Sequence, residues 1–410
     1  MKKALFISLS LMATPLLANN PEPVIYGTVT KPNGETITGT LRWGNQESFL
    51  SDIFNGRKVK TVGIEHLSKD EVSRLEDHQP GPQANFGEIQ VTFKSFFGKD
   101  IEEPYFNVRF GDLKSLTYES NSGLFFAKLH DDTTIISYQN TNDLTDEVNI
   151  LTPEGDRYEF DLEDLKSVTF EAAPENAKSF DQAIYGTVTS EIGTFQGRIM
   201  WDKDERMISE KLDGIENDKE YEIKFAEIKS IERKDNQSWV VLNDGKNLLL
   251  GGTNDVNNGN RGIWIDHPNY GRLEIKWDQF EKFEAGEVDV DWLTFADYQQ
   301  NAEPLSGEVT LVDGSILKAD AMAYDLNQQS GAEFLYVEVN NANRQIPFYL
   351  VKKLVKREDQ AAVVTLHDGS EFVAYGERAV NVDNNGILLT QGKQHRWVEW
   401  KDVKQVTFNH

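Results

Sequence analysis

Apolar residues recur at a fixed spacing along most of this chain. Six aromatic or aliphatic residues serve as anchors and fall into three consecutive pairs. The two anchors of each pair are 52 residues apart. The residues three and six positions after every anchor are apolar as well, although only 39% of the chain is hydrophobic. This repeat indicates duplicated modules whose anchors lie in their cores. The anchors are Phe110, Leu162, Phe225, Trp277, Phe348 and Trp400.

The residues around the anchors alternate between apolar and polar, which is the pattern of half-buried β-strands. Two-residue turn signals separate several of these runs, as in Asn33-Gly34, Asp244-Gly245, Asp313-Gly314 and Asp368-Gly369. Such dipeptides tolerate the positive φ angles of tight hairpins. A further tight turn follows each anchor and precedes a closing strand. We therefore predict an all-β chain with about five short strands in each module.

The anchors are equally spaced within each pair of modules and unequally spaced from one pair to the next. This difference indicates three duplicated pairs. We call these pairs unit 1 (22–172), unit 2 (182–286) and unit 3 (303–410), with linkers at 172–183 and 285–304. Modules of this size are marginally stable alone, so we expect them to pack together. The predicted modules are 22–120, 121–172, 182–234, 236–286, 303–357 and 360–410.

The order of hairpin, strand, tight turn and closing strand resembles a small β-barrel of the SH3-like or Sm-like type. The resemblance covers most of the chain and implies a tandem array of six small barrels. It transfers no activity, because such folds host many functions. Three large aromatic residues at matching positions, Trp43, Trp201 and Tyr324, favour a role in the cores over a role as ligand platforms.

The first module is longer than the others by an insertion at about 45–88. Within it, Ser68 and Glu71 form a capping-box pattern ahead of Val72 and Leu75, and Pro80 ends the pattern. One short helix is predicted here. The insertion either contacts a partner or caps the exposed end of the array.

Residues 1–18 have the pattern of a secretory signal. Lys2 and Lys3 precede a mostly apolar run that ends at Leu17, and Ala18 is a small residue at the expected cleavage site. The run is too short and interrupted for a spanning helix, and no other segment approaches twenty apolar residues. We expect a periplasmic or secreted protein that is not embedded in a membrane.

The charge of the chain disfavours two classes of partner. Its formal net charge is −26, which repels nucleic acid and anionic membrane surfaces. The acidic surface indicates either simple solubility or binding to cations or a cationic partner. The chain has no cysteine, which excludes disulfides and thiolate metal sites.

No motif in the chain prescribes a reaction. The seven histidines show no metal-binding spacing, and no nucleophile, phosphate-binding or dinucleotide motif occurs. We therefore predict a non-catalytic protein with no metal and no cofactor.

The most polar loop, 252–262, is the candidate binding segment, although its composition equally suits a tight hairpin connector. Its counterpart begins at Asn381 and resembles a calcium loop at first, but Gly392 stands where an EF-hand requires Glu. Contact with a cation or a sugar is the functional alternative. The candidate residues are Asn254, Asp255, Asn257, Asn260 and Arg261.

These observations favour an exported, non-catalytic repeat protein that acts as an envelope or secreted binding or scaffolding protein, with an envelope protein or a polysaccharide as its partner. Two alternatives stay open: a cell-wall or polysaccharide-binding protein whose exposed aromatic residues stack on sugar rings, and a hydrolase with a site in one divergent module. The sequence identifies neither the partner nor the oligomeric state.

Overall fold

The computed structural model describes residues 22–44, 46–59, 61–78, 105–138, 142–376 and 378–409. The predicted signal segment and the end of the insertion lie outside these residues. Within them the chain forms 31 β-strands and two α-helices. The prediction of an all-β protein is confirmed.

Unit 1 contains ten strands and the helix α1. Its hydrophobic core is formed mainly by unit 1 and is completed by Phe295, Tyr298 and Ala332 from later in the chain, and its strand pairs are antiparallel. The elements are β1 (Tyr26–Thr30), β2 (Thr36–Trp43), β3 (Ile53–Arg57), α1 (Lys69–His78), β4 (Tyr105–Arg109), β5 (Leu113–Glu119), β6 (Leu124–Leu129), β7 (Thr134–Tyr138), β8 (Glu147–Leu151), β9 (Arg157–Asp161) and β10 (Ser167–Phe170).

Unit 2 repeats these ten strands around a second core, and the helix α2 follows it. The elements are β11 (Tyr185–Ser190), β12 (Gly193–Met200), β13 (Lys211–Glu216), β14 (Lys219–Lys224), β15 (Ile228–Lys234), β16 (Gln237–Leu242), β17 (Asn247–Leu250), β18 (Ile263–His267), β19 (Gly271–Ile275), β20 (Phe280–Ala285) and α2 (Phe295–Asn301).

Unit 3 has a third core and eleven strands, because the counterpart of β2 is divided in two. The elements are β21 (Gly307–Leu311), β22 (Ile316–Ala319), β23 (Ala321–Tyr324), β24 (Phe334–Val339), β25 (Ala342–Pro347), β26 (Val351–Lys356), β27 (Ala361–Leu366), β28 (Glu371–Tyr375), β29 (Ile387–Gln391), β30 (Gln394–Val398) and β31 (Val403–Phe408).

The two predicted modules of each unit share one sheet. In unit 1 the strand order is β7-β6-β5-β10-β1-β2-β8-β9, so β10 lies between two strands of the other module. Val168 in β10 is opposite Val29 on one side and Leu116 on the other. The equivalent residues Phe283 and Val406 lie between the corresponding two strands of units 2 and 3. Each unit therefore depends on strand pairs between distant parts of its sequence.

These sheets do not form a closed barrel in the part of the chain that the structure describes. The predicted array of six SH3-like barrels is accordingly not confirmed. Each unit has a further hairpin: β3 with β4 and β13 with β14 form separate two-stranded sheets, whereas β24 with β25 belongs to the long sheet that units 2 and 3 share. Each hairpin covers one side of the core of its unit.

The six anchor residues are all buried, with at most 5% of their surface exposed. At five of them, all except Trp277, the chain turns through a short 3-10 helix before the next strand. Trp43, Trp201 and Tyr324 are completely buried in the three cores. The 52-residue period therefore marks positions where the chain enters a core and reverses direction.

The helix predicted in the insertion is present as α1. Ser68 and Glu71 form the expected capping box: Glu71 N–H donates to Ser68 Oγ (3.3 Å), and Ser68 N–H donates to Glu71 Oε2 (3.1 Å). The expectation of a single helix is wrong, however, because α2 lies in the predicted linker 285–304. Thr294 and Asp297 cap it in the same way, a signal that is visible in the sequence.

The described part of the insertion packs on unit 3. Lys58 Nζ forms a buried salt bridge with Glu333 and donates to the carbonyl of Asn327 (2.8 Å). Ile64 and Leu75 join a small apolar cluster with residues of unit 3. The backbone N–H of Trp397 in β30 donates to Glu71 Oε1 (3.1 Å). This segment therefore joins the first unit to the third within one chain.

Unit 2 contacts both of its neighbours. Strand β19 pairs with β25 of unit 3, so that Arg272 lies opposite Gln345 and the two units share a continuous sheet. Towards unit 1, Arg198 is buried and forms ion pairs with Asp52 and Glu22. No helix among the described residues is long and apolar enough to cross a membrane.

Candidate functional site

The polar loop singled out from the sequence supports the core of unit 2. Trp201 Nε1 donates to the carbonyl oxygen of Asp255 (2.9 Å), and Asn260 Nδ2 donates to the same oxygen (3.3 Å). The Asp255 carboxylate accepts a hydrogen bond from the backbone N–H of Asp213 (2.7 Å). Asn257 Oδ1 accepts from the N–H of Gly259 (2.7 Å). These bonds hold the loop over the buried indole ring.

The other two candidate residues converge on Asp202. Arg261 donates from Nε (3.2 Å) and Nη2 (3.1 Å) to Asp202 Oδ2, and its backbone N–H also donates to this carboxylate. Asn254 Nδ2 donates to the same group. Asp202 has a left-handed backbone with φ of 49°, directly after Trp201. The structure thus brings all five candidates together around one turn.

Unit 3 contains the same network. Asp325 follows Tyr324 with φ of 53°, accepts from the N–H of Asn385 (2.6 Å) and pairs with Arg378 Nε (2.7 Å). Asn384 Nδ2 donates to the carbonyl of Ala379 (2.8 Å), as Asn260 does to Asp255. Because two units build one pattern, these contacts serve the fold, and ligand binding by the 252–262 loop stays a prediction.

Unit 1 departs from this pattern at the same place. Gly44 follows Trp43 with φ of 51° and therefore occupies the position of Asp202. The loop of unit 1 that corresponds to 252–262 is three residues shorter. Asp146 occupies the position of Arg261, because each lies two residues before the residue opposite the core Trp of its unit. A Cβ atom on Gly44 would lie 3.2 Å from Asp146 Oδ2. The Asp and Arg pair of unit 2 is thus replaced by a glycine and a carboxylate.

An open cavity of about 530 Å³ lies at this position. Five of its eight lining residues carry carboxyl groups. We call it the acidic cavity. The shortened loop leaves this space, and the change from Arg to Asp makes it negative. Its lining residues are Gly44, Gln46, Glu47, Asp143, Thr145, Asp146, Glu147 and Asp161.

Two carboxylates of the acidic cavity have fixed partners. Asp143 Oδ2 accepts from the backbone N–H (2.6 Å) and the side-chain Nδ2 (2.8 Å) of Asn55. Glu47 Oε1 accepts from Arg206 Nη1 (2.8 Å), which reaches across from unit 2. Among the described residues, Arg206 is the cation that contacts this group of acids. Arg206 therefore binds one of the five carboxyl groups of the acidic cavity.

The ionised carboxylates are destabilised in this arrangement. Burial, with the nearby charge of Glu47, raises the pKa of Asp143 well above its usual range. Burial also raises the pKa of Glu47 and that of Asp146, which is less deeply buried. Clustered acids with raised pKa values are common where a protein receives a ligand. A cation that entered the cavity would relieve both the burial cost and the mutual repulsion.

The acids are not arranged around a metal ion. Across the described ranges, no group of three or more His, Asp or Glu residues has a geometry that could hold one. The carboxylates of the acidic cavity accept hydrogen bonds, so a ligand with several hydrogen-bond donors suits them.

Sequence reasoning missed the residues of the acidic cavity. It examined the polar loop 252–262 of unit 2, whereas the cavity lies at the corresponding, shorter loop of unit 1. Aligning Trp43 with Trp201 and then counting through the following loop exposes the three-residue gap and the replacement of Arg261 by Asp146. That signal was available without a structure.

Comparisons with known proteins identify no family. No model of a known protein family matches the chain, and the curated proteins contain no match. Among solved structures, selenomethionine-substituted virginiamycin B lyase from Staphylococcus aureus aligns with 70% of this chain and 88% of its own. The identity is 10% and the TM-score 0.10, so this similarity carries no information about fold or activity.

Proposed function

We propose that this chain is an exported, non-catalytic binding protein whose acidic cavity receives an organic cation bearing amine or guanidinium groups. The proposal includes a periplasmic or secreted location, based on the predicted signal at residues 1–18. Units 2 and 3 and the insertion form the scaffold that holds unit 1. The cationic ligand is a small molecule or the side chains of an envelope partner.

The observation that carries the proposal is a difference between copies. Units 2 and 3 each place an arginine, Arg261 or Arg378, against an aspartate beside the core aromatic residue. Unit 1 has neither member of this pair and has an open cavity instead. A ligand ammonium or guanidinium group in the cavity supplies the positive charge that an arginine of the chain supplies in the other two units.

The chemistry of the cavity matches such a ligand. Its carboxylates accept hydrogen bonds from amines and, in a bidentate manner, from guanidinium groups. Its volume of about 530 Å³ lies within the range typical of small-molecule sites. The net charge of −26 attracts cations and increases their rate of encounter with the protein.

The scaffold is proposed to descend from six small SH3-like or Sm-like modules. The anchors recur once in each module, and the closing strand of every second module lies between two strands of the first. We infer that duplication of a two-module unit preceded the divergence of unit 1. The insertion and the acidic cavity are the two products of that divergence.

Calorimetric titration of the mature protein with spermidine tests the proposal. We expect saturable binding that weakens with added salt, because surface-accessible charge pairs are screened. Asp146→Arg should abolish it by placing the arginine of unit 2 in the cavity. Glu154→Arg makes the same change of charge at an exposed position of unit 1 and should bind nearly as the wild type does.

Absence of binding by the wild-type protein would contradict the proposal that the acidic cavity binds an organic cation. Binding that survives in Asp146→Arg but disappears in high salt would show that spermidine attaches to the acidic surface in general. Equal losses in Asp146→Arg and Glu154→Arg would lead to the same conclusion.

Polysaccharide binding remains the second candidate. Several aromatic side chains are 38% to 50% exposed, and rings of this kind stack on sugars. Co-sedimentation with peptidoglycan and with anionic polysaccharides tests it, and failure to sediment with either removes this candidate. The aromatic residues are Tyr138, Tyr158, Trp239 and Tyr375.

A further inference from the structure

Among the described residues one type of strand contact between units is made once, although each of the three units contains the two strands that make it. Strand β19, at the end of the main sheet of unit 2, pairs with β25, the outer strand of the hairpin of unit 3. The equivalents of β19 are β9 and β30, and the equivalents of β25 are β4 and β14. These four edges differ in whether another part of the chain covers them.

Two of the four edges are covered within the chain. Strand β30 is contacted by α1, since Glu71 accepts the outward N–H of Trp397. Strand β4 faces unit 3, where Asn327 Nδ2 donates to the carbonyl of Tyr105 (3.1 Å). Both therefore have neighbours that occupy the position of an added strand.

The remaining two edges, β9 and β14, have no strand on their outer side among the described residues, although the guanidinium group of Arg157 in β9 lies over the ring of Phe180 (5.6 Å). In β9 every residue except Phe160 is exposed, and in β14 every residue except Tyr221 and Ile223 is exposed. Their paired counterparts differ sharply, because Arg272 and Leu273 in β19 are buried. One edge of the β19 type and one of the β25 type are thus left over.

We propose that β9 of one copy of this protein pairs with β14 of a second copy. The register follows from the contact already present in the chain, where Arg272 is opposite Gln345 and Leu273 is opposite Arg344. Arg157 precedes its anchor by five residues, as Arg272 does, and Glu222 precedes its anchor by three, as Gln345 does.

The side chains in this register are largely complementary. Arg157 comes to lie opposite Glu222, which forms an ion pair across the new interface, and Tyr158 comes to lie opposite Tyr221. Tyr158 is 42% exposed in the single chain, so pairing removes apolar surface from water. The occupant is a second copy because the recognition pattern is the one that the chain uses on itself.

One juxtaposition in the register is unfavourable. Glu159 lies opposite Glu220, where the internal contact instead has Asn343 donating to Glu274 (2.8 Å). Like charges opposite each other oppose strand pairing. The association is therefore weak.

Sedimentation velocity of the mature protein over a wide concentration range tests this proposal. We expect concentration-dependent association that Arg157→Glu and Glu222→Arg each weaken by about tenfold or more. An equimolar mixture of the two variants should associate again, because the reversed charges then face each other across one interface. Glu287→Arg changes an exposed charge elsewhere and should leave association unchanged.

Glu222 also forms an ion pair with Lys211 inside its own hairpin, so the melting temperature of Glu222→Arg must be measured alongside. Arg157→Glu does not disturb that pair and gives an independent reading. A wild-type protein that stays monomeric under all conditions overturns the proposal. Association that neither variant weakens, or that the mixture fails to restore, overturns it as well.

Discussion

Arg198 of unit 2 places its Nη1 atom 2.6 Å from Oδ1 of Asp52 in unit 1, and both side chains are buried. Asp52 Oδ2 meanwhile accepts from the backbone N–H of Ser48 (2.7 Å) and of Phe49 (2.9 Å). One carboxylate thus closes a turn within its own unit and binds a neighbouring unit. Glu333 does the same in unit 3, where Lys58 is its partner across the interface.

The Asp52→Asn variant should lose about 3 kcal/mol of folding free energy, because it leaves the buried charge of Arg198 without its closest partner. The amide oxygen can still accept the two backbone hydrogen bonds, so the local turn is retained. Denaturant unfolding monitored by tryptophan fluorescence measures the change.

Glu210→Gln is the matched control for Asp52→Asn. Glu210 occupies the same position in unit 2 and accepts from the N–H of Arg206 (2.6 Å) and of Met207 (2.8 Å). None of the salt bridges between described residues involves it. We expect a loss below about 1 kcal/mol, and equal losses in the two variants would contradict a role of Asp52 between units.

Trp277→Ala should cost about 3 to 5 kcal/mol, since it removes a large anchor side chain from the core of unit 2. Trp239→Ala makes the same truncation at a residue that is 39% exposed and should cost about 1 kcal/mol or less. Thermal melting of both variants provides the comparison. An unchanged melting transition in Trp277→Ala would disprove the assignment of the anchors to the cores.

Stability should rise as the pH falls from about 8 to about 5. Burial raises the pKa of Glu205 to about 8, that of Glu22 to about 7 and that of Asp255 to about 6. These groups bind protons more tightly in the folded state than in the unfolded state, so protonation favours folding until the unfolded carboxyl groups titrate as well. Denaturant unfolding at intervals across this range measures the trend.

The Glu205→Gln variant isolates one of these groups. Its stability should change less between pH 8 and pH 6 than that of the wild type, whereas identical profiles would show that Glu205 does not contribute.

Below about pH 4 the trend should reverse. The folded protein holds the pKa of Asp266 at about 2 despite its burial, because Arg272 and Arg198 surround the carboxylate. The stability from these pairs is present above the unfolded pKa and is lost as the pH falls towards 2. Asp266→Asn should lack this acid-induced loss, and an unchanged acid transition would contradict the assignment.

Asp146→Arg should raise the melting temperature in the absence of ligand. The substitution removes one of the crowded carboxylates and places a cation near Glu47 and Asp143, as Arg261 does near Asp202. The gain should be modest, about 1 kcal/mol or less, because Asp146 is only half-buried. A lower melting temperature would contradict the view that the acidic cavity carries a cost in stability.

The periodic pattern was a sound guide to local structure. Burial of an anchor such as Trp400 follows from its spacing, and the capping box at Ser68 predicted α1 correctly. The second helix carries an equally readable capping signal at Thr294 and Asp297, although it lies in a segment predicted to be a linker. The acidic cavity was overlooked, since Asp146 matters only through the arginine and the three residues that unit 1 lacks.

The sequence by itself determined that the chain consists of strands and where many of them turn, and it predicted three copies of a two-module unit. Hydrophobic period and turn residues act over a few positions, and every copy repeats them. Only the tertiary structure decided that β10 lies between β1 and β5, that Arg198 meets Asp52, and that the acidic cavity opens beside Gly44 in unit 1. Alternation shows which face of a strand is buried, whereas its partner is chosen by packing between residues far apart in sequence.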